Sequence, residues 1–420
     1  MSQTTLSVTG ETFRINDRLT YTEVPGSKAS VHGLLMNARF IQGIFDDTDG
    51  RGRFARFGFQ EYDPEAQTNR LVEALPEWYG YGLRAFTVGL QGGGPVFTIE
   101  DWTTINNNPF SEDGKSIDMA YWNRLDRILS AADSLGMVVI VSFFYQAQSP
   151  RMRDGEAIRN AVTTASALLK DSGYSNVIIE VANEYNVGHF GLHPLINTSE
   201  GMAYLISLAR EASGGLPVGA SLGGGRVAKE VAIASDVILI HANNMTRQEY
   251  YNMLKELRAW DLNKPIVCNE DSPCVSQLSV AFDTGTSWGY YNNLTKQEPP
   301  TDWTVRPGED YFFARRLAEG VGISVPELPR GQEFYLAGFE ANIEVGGMRW
   351  IRLASLHPEH IDYVDFLRNG ELVDRAYCDP FMVNNVTTWI QEGTTVIEGD
   401  QWKALVHLAG DEVVEVVPGS

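Results

Sequence analysis

A chain of 420 residues with 43% hydrophobic side chains can bury more than one core, because single cores stop growing near roughly 250 to 300 residues. No uninterrupted apolar run approaches the ~20 residues needed to cross a bilayer, which excludes a membrane-spanning protein. The net charge of −21 is the opposite of what nucleic-acid phosphates demand; a neutral partner suits this surface.

The first segment, LSVTGETFRINDRLTYTE, alternates apolar and polar residues and turns at Asn16-Asp17, which predicts a β-hairpin able to cover one end of a larger fold. From there short β-rich runs alternate with longer amphipathic ones. The predicted strands are Arg39 to Phe45, Leu83 to Leu90, Met137 to Phe144, Val177 to Ala182, Pro217 to Leu222, Val237 to His241, Pro265 to Cys268 and Thr286 to Tyr290. Between them SIDMAYWNRLDRILSAADSLG carries one apolar stripe, Ile117, Tyr121, Leu125, Ile128, Leu129 and Ala132, ended by Gly136. Another helix, TRQEYYNMLKELRAW, opens with Thr246 and Glu249 spaced as a capping box.

Eight strands with interleaved helices predict an α/β chain, a (β/α)8 TIM barrel over residues 1–328 including the hairpin. An open doubly wound sheet is the rival. Beyond Pro329 the pattern changes to short strands with turn signals, including an Asn369-Gly370 hairpin turn. Residues 329–420 are therefore expected to form a small Ig-like β-sandwich. Cys268, Cys274 and Cys378 make no disulfide framework. The opening MSQTTLSVTGETF lacks the basic and apolar segments of a secretory leader, so the expected location is cytoplasmic, or secreted if a leader was removed.

In a barrel enzyme the active site lies where the strands end. The fourth strand, VIIEVA, runs into Asn183-Glu184, and the seventh, PIVC, into Asn269-Glu270. Two carboxylates facing one cleft are what glycosidic hydrolysis requires, one protonated and one ionised, and proximity separates their pKa values. His241 ends the sixth strand, where it either orients a carboxylate or sits as a satisfied core histidine. Trp288 is expected as a stacking platform for a sugar face, with barrel packing as the alternative. Tyr145, Gln146 and Gln148 after strand three, and Gln91 with Gly92, Gly93 and Gly94 after strand two, are neutral groups suited to hydroxyl-rich ligands. Asp46 and Asp47 end strand one and are expected either to bind a hydroxyl or to cap the next segment. Neither GGGP nor Gly223 to Gly225 makes a phosphate cradle, since the Lys and Ser/Thr of that motif are missing.

With these residues the chain resembles the glycoside hydrolases of clan A, and more distantly their family 5 cellulase-like members, over approximately residues 10 to 320. The resemblance rests on Asn183-Glu184, Glu270, His241 and Trp288. It implies that Glu184 is the acid/base, Glu270 the nucleophile and Asn183 the partner of the sugar 2-hydroxyl, in a reaction on β-linked oligo- or polysaccharides that retains anomeric configuration. No cofactor or metal is implied; the partner is carbohydrate, and the oligomeric state stays open. Departures from the family pattern are Thr87 where strand two usually carries an Arg, with Arg84 three positions earlier, FFYQ at the end of strand three, and Asn243 where an aromatic is common. Two other readings stay open: a metal-dependent sugar-converting barrel with Glu184, Glu270, His241 and His189 or His193 as ligands, and a non-catalytic carbohydrate-binding scaffold. Trp350, Trp389 and Trp402 in the tail are candidates for sugar binding, with core packing the expected role of at least two of them.

Overall fold

A computed structural model describes residues 2–48, 50–52, 61–92, 106–298, 301–340, 344, 346–387 and 390–419. The N-terminal segment is a three-stranded antiparallel meander, β1 (Leu6–Thr9), β2 (Thr12–Ile15) and β3 (Arg18–Leu19), rather than a single hairpin. The extra turn lies at Gly10, which has φ +57°; the expected turn at Asn16-Asp17 also has both residues at positive φ. Phe13 is fully buried and, with Leu6, packs on Leu35, Ala85, Val138, Ile178 and Val267, all at the N-terminal ends of the following strands.

Those strands are parallel: β4 (Asn37–Arg39), β5 (Ala85–Gly89), β6 (Val138–Phe144), β7 (Val177–Ala182), β8 (Val218–Gly219), β9 (Ile238–His241), β10 (Ile266–Glu270) and β11 (Gly289–Tyr290). Six pair in the order β11-β4-β5-β6-β7-β8, and β9 pairs with β10. Backbone bonds continue the pairing at both margins, Asp236 N–H to Val218 O (2.8 Å) and Cys268 N–H to Ser287 O (2.9 Å).

Side chains alternate across each strand. Val139, Val141, Val177, Ile179, Ile238 and Ile240 pack outward with the helices in the large core. The other set begins apolar, with Ala85, Val138, Ile140, Ile178, Leu239 and Val267. Further along the strands it turns polar while staying buried, at Asn37, Arg39, Thr87, Ser142, Glu180, His241 and Asn269. The helices begin as expected: Thr246 and Glu249 form a complete capping box. Tyr121, Leu125, Ile128, Leu129 and Ala132 face inward from the helix Met119–Leu135, and Gly136 caps it at φ +80°.

After the helix Glu309–Val321 come β12 (Phe334–Ala337), β13 (Met348–Arg349), β14 (Arg352–Ser355), β15 (Ile361–Arg368), β16 (Glu371–Ala376), β17 (Phe381–Met382), β18 (Thr394–Thr395), β19 (Trp402–Leu408) and β20 (Val413–Val416). A three-stranded antiparallel sheet (β12-β14-β17) and a four-stranded one (β16-β15-β19-β20) share a core of Leu336, Ile351 and Leu353 against Val364, Phe366, Ala404 and Val406. Asn369 and Gly370 both take positive φ between paired Arg368 and Glu371, the two-residue hairpin geometry. Trp350 and Trp402 are buried; Trp389, like Gly93 and Gly94, lies outside the described residues. All three cysteines are unpaired. Among the described residues no helix is long and apolar enough to cross a membrane.

Candidate active site

The polar ends of the parallel strands converge on two glutamates. Asn183 and Glu184 follow β7 directly, and Glu184 sits at φ +52°, a backbone state a non-glycine residue occupies only when its surroundings impose it. They do: Ser221 Oγ accepts from the Glu184 N–H (3.1 Å), and at Gly223 any Cβ would come within 2.7 Å of the Glu184 carboxyl carbon. A side chain at 223 would push the end of the Glu184 side chain out of this position.

Glu270 reaches the same space by another device. The β9–β10 ladder slips between Cys268 and Glu270, so that Glu270 pairs with His241. An irregularity of this kind re-aims a side chain, and here Asn269 and Glu270 are both buried and turned toward polar partners. Arg39 Nε lies 2.8 Å from Glu270 Oε2, and Asn243 Nδ2 donates to Glu270 Oε1 (2.7 Å). Arg39 also donates to Asn183 Oδ1 (2.6 Å). His241 Nδ1 lies 3.0 Å from Glu184 Oε1 and 3.6 Å from Glu270 Oε2. An oxygen of each glutamate and a nitrogen of His241 fall within 4.8 Å of one another.

Below this pair lies a third carboxylate. Glu180 is fully buried, accepts from Ser221 Oγ (2.7 Å) and Asn269 Nδ2 (3.0 Å), and comes within 3.9 Å of His241 Nε2 and 4.0 Å of Arg39. His241 is thus surrounded by three carboxylates and opposed by one guanidinium. Burial alone pulls its pKa down, but the charges of Glu270 and Glu184 outweigh that and raise it. For Glu184, burial pushes up, and the His241 bond and charge, with Arg39, hold the group below the usual range. For Glu270, burial wins against Arg39 and His241, with Glu184 and Glu180 adding to the upward push.

Two tyrosines close the sides. Tyr291 is buried with its ring 5.7 Å from the Arg39 guanidinium carbon. Tyr145 is half-buried; burial, Glu270 and Glu184 push its hydroxyl far up, so it stays protonated and able to donate.

Of the predicted site residues, Glu184, Glu270, Asn183, His241, Asn243 and Tyr145 come together. Trp288 does not, and the platform expectation is corrected: it is fully buried on the helix side, 5.7 Å from Phe313, with Nε1 bonded to Asp271 Oδ2 (2.6 Å). Alternation puts 288 and 290 on one face and 291 on the other. Gln91 is buried and spent on the Tyr145 N–H (3.0 Å) and Asn108 (3.2 Å), bracing two loops. Asp46 is engaged in a two-point ion pair with Arg51. Asp47 accepts from Asn107 (3.1 Å), and Gln146 accepts from the His189 N–H (3.3 Å).

Sequence reasoning missed Arg39, Glu180 and Tyr291. Thr87, standing where the resemblance calls for an arginine, is the register partner of Arg39 on the neighbouring strand. The guanidinium is supplied from one strand over. Arg84 lies at the opposite end of β5, paired with Glu23 (3.0 Å).

Among the described residues, Glu184, His241 and Glu270 are the acid/imidazole group close enough to share an ion. Arg39 and Asn243 already place two N–H donors on Glu270, one of them cationic, an arrangement that repels a metal. His193 is engaged with Ser149 O (2.8 Å), and His189 is exposed on a short 3₁₀ turn.

No family model and no curated protein matches the chain. It is similar to solved structures of glycoside hydrolases. These include the endo-1,4-β-mannanase from Eisenia fetida (13% identity, 76% of this chain and 95% of that one, TM-score 0.48). Another is an endo-β-1,4-mannanase from Thermotoga petrophila (10% identity, 91% and 96%, TM-score 0.45), and a third the β-1,4-D-mannanase from Cryptopygus antarcticus (12%, 75% and 94%, TM-score 0.44).

Proposed function

We propose that the chain is a retaining glycoside hydrolase acting on β-linked oligo- or polysaccharides. In this reading residues 1–328 form a (β/α)8 barrel and residues 329–420 a β-sandwich. The barrel reading is supported by backbone pairing that runs from β4 to β8, on through Asp236 and Val218 to β9 and β10, and back through Ser287 to β11 and β4. The sandwich reading is supported by the one apolar core that two antiparallel sheets share.

The observation that carries the function is the separation of the carboxylates. Oxygens of Glu184 and Glu270 within 4.8 Å of each other accord with the roughly 5–5.5 Å carboxyl spacing of double displacement rather than the roughly 6.5–9.5 Å of inversion. Glu270 attacks the anomeric carbon while the bond to the leaving oxygen breaks and Glu184 gives that oxygen a proton. Water then enters, Glu184 takes its proton, and the hydroxide oxygen displaces Glu270.

Arg39 and Asn243, each donating to one oxygen of Glu270, favour its ionised form and aim it. The proton for the leaving group is held jointly. His241 keeps Glu184 ionised in the free site, and the 3.0 Å contact lets the imidazolium pass its proton to Glu184 as the substrate oxygen develops charge. Asn183, fixed by Arg39 through its Oδ1, offers its amide nitrogen to the 2-hydroxyl.

The test uses Glu270→Gly and Glu184→Ala with an activated aryl β-glycoside and azide. The first should yield the glycosyl azide of inverted configuration and the second that of retained configuration. A Glu270→Gly protein that hydrolyses at the parent rate removes Glu270 as the nucleophile.

A further inference from the structure

The antiparallel sheets at the C-terminal end are not merely appended. They bury a charged side chain against the loop that closes the candidate site. Arg352, at the start of β14, is fully buried. Its guanidinium bonds Gln391 Oε1 within its own sheets, then reaches out to Asn293 Oδ1 (3.2 Å) and Glu309 Oε1 (3.5 Å). Glu309 Oε2 in turn accepts from Asn292 Nδ2 (2.8 Å). Asn292 and Asn293 directly follow Tyr291, whose ring lies beside Arg39. Four residues further along the same loop, Gln297 bonds the hydroxyl of Tyr145.

A buried guanidinium is a costly way to glue two layers together, because its desolvation is offset only by well-placed partners. Apolar glue is present anyway, where Phe312 meets Ala354 and Leu356. A second polar contact has the same target region: Asp379 accepts from the Ser276 N–H (3.1 Å) and from Cys274 Sγ (3.0 Å), in the segment just beyond Glu270. Both contacts act on the segments that follow β10, which ends at Glu270, and β11, which Tyr291 directly follows.

We infer that Arg352 is a positioning residue of the active site, contributed by the C-terminal sheets, which sets the loop 291–298 so that Tyr291 holds Arg39 against Glu270 and Gln297 orients Tyr145. The inference rests on the glycosidase reading for its kinetic consequence. Its structural consequence stands independently.

The experiment compares the full-length parent with Arg352→Met and with Val406→Ala. Val406→Ala trims the fully buried C-terminal core and touches none of these loops. Far below the melting temperature of each protein, Arg352→Met should lower kcat about ten- to hundredfold, the scale of a small misplacement of reacting groups, while Val406→Ala keeps the parent kcat. Hydrogen exchange should show lost protection in 291–298 for Arg352→Met and none there for Val406→Ala. If kcat and exchange in 291–298 both stay at parent values in Arg352→Met, or if Val406→Ala changes both equally, the inference is overturned. A parent chain that cleaves no β-glycoside would count against the glycosidase reading alone, and the exchange comparison would still decide the role of Arg352.

Discussion

The interior of the parallel strands and the core between the C-terminal sheets are built on opposite plans. Between the antiparallel sheets the shared core is a continuous apolar cluster, from Leu336 and Leu353 to Val364 and Val406. Within the parallel strands the inward positions are apolar only near Phe13, and become Arg39, Glu180, His241 and Asn269 toward the strand ends. The first interior is organised for stability. The second tolerates three carboxylates, a guanidinium and an imidazole that satisfy one another imperfectly, the arrangement expected where burial and charge are used to tune proton affinity.

Substitutions in the two interiors should therefore fail differently. Glu270→Ala should reduce kcat on the order of 10⁴-fold or more while circular dichroism and the melting transition remain close to the parent; loss of the fold instead would make this glutamate structural. Phe366→Ala, at a fully buried position between the C-terminal sheets, should cost about 3–5 kcal/mol in denaturant unfolding. Below the transition its kcat should be that of the parent, and a lost kcat at full folding would erase the contrast. Asn243→Ala removes one donor from Glu270 and should lower kcat about tenfold to a hundredfold with little change in Tm, read from steady-state kinetics.

The smallest effect is on the pH profile. His241 is held above its ordinary pKa, so the proton it shares with Glu184 is present below that ordinary value and lost as pH rises through the raised one. The alkaline limb of kcat/KM should lie above the usual histidine range, and His241→Asn should move it to lower pH. Glu270 is raised and must be ionised to attack, so the acid limb should lie above the usual carboxylate range. A profile flat on both sides would separate activity from this cluster.

Much of this was legible in the amino-acid order. β7 has the predicted bounds, Val177 to Ala182, and the capping box at Thr246 formed as expected. The two Asn-Glu pairs stood out because polar residues closing an apolar strand need a reason. Strand one misled: Arg39 was placed at its beginning, because Phe40, Ile41, Ile44 and Phe45 continue an apolar run. The chain turns after Arg39, and those side chains are buried in the turn instead. A strand end misplaced by six residues put Arg39 at the wrong end of the fold. Trp288 failed for a related reason, since a period of two gives alternation without saying which set faces inward. Tyr291, one strand position beyond Tyr290, took the place facing the site.

From its order of residues alone, this protein announced alternating strands and helices, a change to antiparallel strands near residue 330, and two glutamates at strand ends. Those are local matters, governed by periodicity, caps and turn chemistry that act over a few residues. Which strand supplies the guanidinium, how a slip in one ladder turns Glu270 inward, why 223 has no side chain and what Arg352 grips were settled only by tertiary packing. Each depends on register between segments tens to hundreds of residues apart, where a shift of one position reverses the face a side chain presents.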